Sequence, residues 1–387
     1  MAAIRVAAII VLAGPPVSDG LAYHTMAITL AQGGPMVDNF GNRLFYSAGY
    51  PLLLAIAYAV GGSSPLAGHS LNLALAIASG ALVYRVARQL GASRAISAIT
   101  VSAFALWLPG IWNGAMLARE NLTVPLVLAV TSGTIDLVQR RRGAFATGTA
   151  WVAGLIGATA SAGVLLGPLS AILGRKSPRL ALALVAGIAL AFAPWAIATH
   201  TTFGSVKLTS NSGFNLYLGN NPAATGSFVS IADTPAGPEW HSLLSSSGEF
   251  GASDELGRTA RAWVAAQPQA ALALAMKKLA LFWAPNIPDA KDWQASRVIS
   301  AVRLFEVAQY AALVLAGLAG LIALAQRNVL LALAISAVIV GFWVPHMFAY
   351  IITRYRDPVM PVLLVLAMVW VGGHPKFRRL RAFPHPN

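Results

Sequence analysis

The sequence predicts an all-α polytopic membrane protein, and three features lead to it. Charged residues make up 10% of the chain and hydrophobic ones 57%, against roughly 25% charged in an ordinary soluble domain. Apolar runs approaching the ~20 residues needed to cross a bilayer recur along the chain. Basic residues gather in short connections between those runs: Arg85, Arg88 and Arg94; Arg140 to Arg142; Arg175, Lys176 and Arg179; and Lys376 to Arg381. This is the positive-inside pattern, so the net charge of +14 marks a cytoplasmic face and not a nucleic-acid site. Cysteine is absent, which excludes disulfides and thiol chemistry.

The basic clusters order the crossings. The run 2–14 is a short first span that leaves the cytoplasm and stops at Pro15-Pro16. A loop from 15 to 65 lies outside. Its apolar piece 46–62 is interfacial or re-entrant, because a crossing there would place Arg85, Arg88 and Arg94 on the outer face. Spans over 66–84, 95–112 and 121–138 follow. The stretch 144–173 joins two basic clusters and must return to the side it left. It reads as a hairpin of two short spans, whose Gly and Ala residues allow close packing. Residues 180–199 cross outward. The polar segment 200–299 lies outside and holds seven of the thirteen acidic residues. Within it, 270–285 is apolar but interrupted by Lys277 and Lys278, as expected of an interfacial helix. Crossings over 301–325, 328–345 and 358–372 end in the basic tail, giving about ten transmembrane helices. Residues 1–199 then form a membrane core with seven spans, 200–299 an extracytoplasmic region, and 300–387 the last three spans and the tail.

Ionisable groups at a membrane need a reason. Asp19 follows the first span and sits where a helix N-cap is expected, with its carboxylate satisfied by first-turn amides. Tyr23 is four residues on, on the same helical face, with His24 beside it. Glu120 lies at the opposite outer mouth next to Arg119. It is either half of a surface ion pair or a second carboxylate facing the same outer cavity as Asp19, sharing base duty and hydroxyl binding. Arg354, Tyr355, Arg356 and Asp357 stand directly before the last span. The two arginines are either headgroup anchors or a bidentate grip on a phosphate. The stretch 211–228 mixes Asn, Gly and aromatic residues. It is read as tight turns or as a carbohydrate surface, with Asn215, Asn220 and Asn221 for hydroxyls and Phe214 or Tyr217 for stacking. Asn121 to Thr123 matches a glycosylation pattern by chance. The histidines are scattered and no metal-ligand spacing is found, so no cofactor is expected, although a divalent metal is not excluded.

In order, these pieces resemble the polytopic C-type (GT-C) glycosyltransferases, in particular bacterial relatives of the dolichyl-phosphate-mannose protein mannosyltransferases. The resemblance rests on Asp19, Tyr23, Ala27 and Leu30 after the first span, GYPLLLA at 49–55, Glu120, APW at 193–195 before GFNLYLGNNPAATG, and RYRDPVMP before the last span. It implies a multi-pass protein of the bacterial inner membrane with its site on the extracytoplasmic face. The donor would be a polyprenyl-phosphate sugar and the acceptor a hydroxyl of a glycan, lipid or protein. Asp19 would act as general base, Arg354 and Arg356 would hold the leaving phosphate, and the reaction would invert. Two other classes fit a chain of this kind: a polymerase or ligase of lipid-linked glycans, and a transporter or flippase, which requires ionisable groups near the bilayer midplane.

Overall fold

The computed structural model describes residues 1–139, 143–158 and 162–373. The arginine triplet 140–142, the hairpin turn and the basic tail beyond 373 therefore lie outside the described residues. The chain is all-α, 77% helical, and no strand is present among the described residues. Its helices in order are α1 (Ala2–Leu12), α2 (Asp19–Ala31), α3 (Gly49–Gly61), α4 (Pro65–Gln89), α5 (Arg94–Ala105), α6 (Leu108–Gly114), α7 (Glu120–Val138), α8 (Ala144–Ala158), α9 (Leu166–Arg175), α10 (Pro178–Phe203), α11 (Ser212–Gly219), α12 (Trp240–Ala266), α13 (Pro268–Trp283), α14 (Ala290–Ala295), α15 (Arg297–Ala325), α16 (Val329–Trp343) and α17 (Met360–Gly373).

Five helical stretches are long and apolar enough to cross a bilayer: α4, α7, α10, α15, and α16 together with the 3-10 turn that extends it to Phe348. The helix pair α5 and α6, bent by 61°, makes a sixth if it acts as one span. α1, α3, α8, α9 and α17 are apolar but shorter. The surface agrees with a lipid environment. Leu182, Val185, Leu190 and Ile197 on α10, and Phe305, Leu315 and Ile322 on α15, all face outward. Such apolar helix faces are unstable in water and at home in acyl chains. The protein is thus a multi-pass, bilayer-associated helical assembly.

α7 is the central post. It packs on α4, α8, α9 and α16, and its C-terminal end carries Asp136. A carboxylate near a helix C-terminus opposes the helix dipole. Here Arg85 of α4 neutralises it at 2.6 Å, and Gln89 donates to its other oxygen at 2.8 Å. One arginine of the first basic cluster is therefore tied to an ion pair instead of facing only lipid headgroups. α8 lies against α10, and Gly187 permits it: a Cβ there would sit 2.2 Å from the Phe145 carbonyl oxygen.

Outside the bundle, the 200–299 region is more regular than expected. Residues 212–219 form α11 instead of a run of turns, because Ser253 of α12 accepts from the Gly213 and Phe214 amides and caps it from a distance. α13 matches the expected interfacial helix in extent, but its two lysines differ. Lys277 is exposed, whereas Lys278 is fully buried and donates to Asn220 Oδ1 and the Met347 carbonyl, both at 3.0 Å.

Candidate functional site

α2, α7 and the segment before α17 bring their charged residues to one place. Asp19 opens α2, but it does not cap it. Ser18 is the N-cap residue, held at φ 50° with no side-chain cap hydrogen bond, and the Asp19 carboxylate is ion-paired with Arg354. A serine in the left-handed region is strained, and the strained turn leaves Asp19 directed at a partner 335 residues away. Glu120 opens α7 and is only 4% exposed. Its Oε1 is 3.4 Å from Arg354 Nε and 4.0 Å from Arg119 Nε, so its pair with Arg119 is buried and shared with Arg354 instead of lying on the surface. Arg354 thus joins the two carboxylates. Asp357 is also buried and accepts from Asn113 Nδ2 at 2.7 Å. Burial raises the Asp357 carboxyl from 3.8 to about 7.

Two spaces meet at this cluster. The first, an outer cavity of about 640 Å³, is lined by Asp19, Tyr23, Arg119 and Tyr355, by Asn39, Asn42, Asn211 and Asn215, and by a ring of aromatics that includes Phe40, Tyr46, Phe214, Phe228, Trp240 and Tyr350. Tyr23 is buried between the edges of Tyr46 and Tyr50, and burial raises its phenol, which keeps it a neutral donor. The second is a groove of about 500 Å³, largely apolar along Leu12, Leu108, Trp112, Val298 and Val302, interrupted by Asn286, Arg303 and Glu306, and reaching Thr353, Arg354 and Asp357. Asp19 lines the outer cavity and its partner Arg354 lines the groove, so their ion pair stands between an aromatic, Asn-lined space and a largely apolar one.

The sequence-predicted residues divide accordingly. Asp19, Tyr23, Asn215 and Tyr355 line the outer cavity, Arg354 lines the groove, and Glu120 lies behind Arg354. Arg356 does not join them. Its side chain is buried, with its guanidinium on the Ala284 carbonyl and 3.9 Å above the centre of the Tyr310 ring. Arg354 and Arg356 are two apart in a 3-10 turn and so point to different sides; only the first reaches the cluster. Asn220 and Asn221 are likewise used internally. Asn220 donates to the Leu216 and Phe348 carbonyls and accepts from Lys278, while Asn221 donates to the Tyr217 carbonyl and accepts from the Ala223 amide. His24 bonds Tyr58 at 2.6 Å, away from the cavity. Tyr217 is buried and takes the Ala236 amide, which leaves Phe214 for stacking. Asn121 donates to three nearby carbonyls, as a turn-fixing residue does. Arg119 and Asn113 acquire places at the site that their positions in the sequence did not assign, and Asp357, named there only as the neighbour of the two arginines, acquires a buried place beside Asn113. The only advance signal was Arg119 preceding a membrane-edge glutamate and Asp357 preceding Pro358.

Among the described residues no group of three or more His, Cys, Asp or Glu is placed to hold a metal ion. The fold and this cluster define the class: a multi-pass helical membrane protein with a charged cluster between a polar cavity and an apolar groove. No protein-family model, curated protein or solved structure matches the chain.

Proposed function

We propose that this protein is a membrane glycosyltransferase that moves a sugar from a polyprenyl-phosphate donor to an acceptor hydroxyl on the extracytoplasmic face of a bacterial inner membrane, the reading suggested by its resemblance to the C-type enzymes. The observation that carries the proposal is the Asp19–Arg354 pair between the aromatic, Asn-lined cavity and the apolar groove. A lipid-linked sugar has the same division: a prenyl chain for the groove, a phosphate for the guanidinium, and a sugar and acceptor for the cavity.

The chemistry follows. An acceptor hydroxyl oxygen attacks the anomeric carbon while Asp19 takes its proton. The bond from that carbon to the phosphate oxygen breaks, its electron pair leaves on the phosphate, and Arg354 holds the charge that develops. One displacement inverts the centre. In the resting site Arg354 is shared with Asp19 and Glu120. A donor phosphate competes for the same guanidinium and so frees the Asp19 carboxylate to act as base. Donor therefore binds before acceptor is deprotonated. Glu120, held behind Arg354, sets the position of the guanidinium.

Ten crossings complete this picture, with the four short helices α1, α8, α9 and α17 spanning alongside the six longer candidates. The cluster then sits at the outer face beside the 200–299 region. Purified protein in proteoliposomes, offered a panel of polyprenyl-phosphate sugars, tests the proposal. Transfer is expected with the wild type, and Asp19→Asn is expected to lose it by about 10²–10⁴-fold at unchanged protein level. Wild-type turnover in Asp19→Asn would remove Asp19 as the base.

A further inference from the structure

Arg5 lies in the middle of α1, a helix that is otherwise Ala, Ile, Val and Leu, and it is 3% exposed. Its guanidinium rests on the small-residue face of α6. A Cβ on Gly110 would be 3.1 Å from Nη2, and one on Gly114 would be 3.6 Å from Nη1, so this face is shaped to receive the side chain. The Phe104 ring centre is 5.8 Å from the guanidinium carbon. Nε and Nη1 are buried and have no hydrogen-bond acceptor among the described residues. Leaving charged donors dry costs several kcal/mol, too much for a position that leucine would fill at no such cost.

The guanidinium faces a cavity of about 30 Å³, which Asn113, Asn121, Glu120 and Asp357 also line. That volume accepts about one or two waters; its walls are mostly apolar, from Ala76, Phe104, Trp107 and Val124, and its polar partners are Arg5, Ser79, Asn113, Glu120, Asn121 and Asp357. We propose that this cavity is a bound-water site through which Arg5 donates to Glu120 and Asp357, making the first helix a positioning part of the charged cluster. Arg5, Asn113, Glu120, Asn121 and Asp357 all line this one cavity, so a water in it has donors and carboxylates for neighbours. Removing Arg5 leaves two buried carboxylates with one cation fewer, and Glu120 then competes more strongly for Arg354, the partner of Asp19.

The groups that bear on the pH dependence are Glu120 on α7, Arg119 before it, Asp19 on α2, Arg354, Arg356 and Asp357 before α17, and Glu306 and Arg303 on α15. Without Arg5, the buried Asp357 carboxyl, already raised by burial, holds its proton more tightly still. The acid limb of the rate–pH profile is expected to move up by about 0.5–1 unit, the low end of the effect of a near charge because water intervenes. The kinetic effect rests on the transferase reading; the water site does not. The first measurement is therefore a structure of the full wild-type chain in lipid nanodiscs, at a resolution that shows water. Density within hydrogen-bond distance of Arg5 Nε or Nη1 and of Glu120 or Asp357 is expected, and a dry cavity overturns the proposal whatever reaction the protein catalyses. The second compares Arg5→Gln with Arg5→Lys. The profile is expected to shift in the first and to stay near wild type in the second. A folded Arg5→Gln protein with an unshifted profile overturns the positioning role.

Discussion

Asp19 suits the base role proposed for it because its carboxylate is released from capping: the strained Ser18 starts the helix and Asp19 is left to meet Arg354. Replacing Arg354 by Gln removes the contact to the leaving phosphate and is expected to lower kcat by about 10²–10³-fold. Arg356→Gln tests the opposite assignment. It removes a cation–π contact and a donor to the Ala284 carbonyl, so it is expected to destabilise the fold by about 2–3 kcal/mol in a denaturant titration while donor KM stays within about threefold. Asp357 gives a pH prediction with a definite sign. Its carboxyl is raised from 3.8 to about 7 by burial, so the native state binds the proton more tightly than the unfolded state. Stability therefore falls as pH rises from about 4 to about 7, and Asp357→Asn is expected to flatten that slope in thermal unfolding scans. At this scale the sequence was partly legible. A carboxylate at a membrane edge is rare enough to single out Asp19 and Glu120, but nothing in RYRDP tells which arginine faces the cluster, since a 3-10 turn decides it. Arg5 was hidden because one arginine near the start of a short apolar run reads as a flank. The amides of Asn220 and Asn221 look free in sequence and are consumed by neighbouring carbonyls.

The apolar helices were legible because burial in lipid demands long uninterrupted runs, and α4, α7, α10, α15 and α16 have them. α11 was not, because its first-turn amides are satisfied by Ser253, forty residues away, while the local Asn211 at its N-cap accepts from Thr209 instead of capping. Lys278 marks the same kind of failure. A lysine in an apolar helix is expected to snorkel to the headgroups, but this one is fixed inward by Asn220 and the Met347 carbonyl. It ties α13 to the loop after α11 and to the turn after α16, next to the aromatic wall of the outer cavity. Lys278→Met leaves both acceptors without this donor and is expected to cost about 1–3 kcal/mol, read as a lower unfolding midpoint in detergent. An unchanged midpoint would mean that α13 is held by its apolar face alone.

Over the whole molecule, charge placement in the sequence predicts a sidedness, whereas depth was not legible, because helix bends and short spans depend on packing between distant segments. The chain lacks cysteine, so single reporters read the sidedness directly. In intact cells a membrane-impermeant maleimide is expected to label Ser246→Cys, on exposed outer helix α12, and to spare Gln326→Cys, in the exposed turn between α15 and α16. Reversed labelling would place the charged cluster on the cytoplasmic side and end the case for an extracytoplasmic transferase. The central claim is that a lipid-linked donor straddles the Asp19–Arg354 pair. Its most direct test is the structure of the protein with a non-hydrolysable polyprenyl-phosphonate sugar. The account predicts the phosphonate on Arg354, the prenyl chain along Leu108, Trp112 and Val298, and the sugar beside Asp19 in the outer cavity. A phosphonate bound elsewhere, with Arg354 still paired to Asp19, would contradict it.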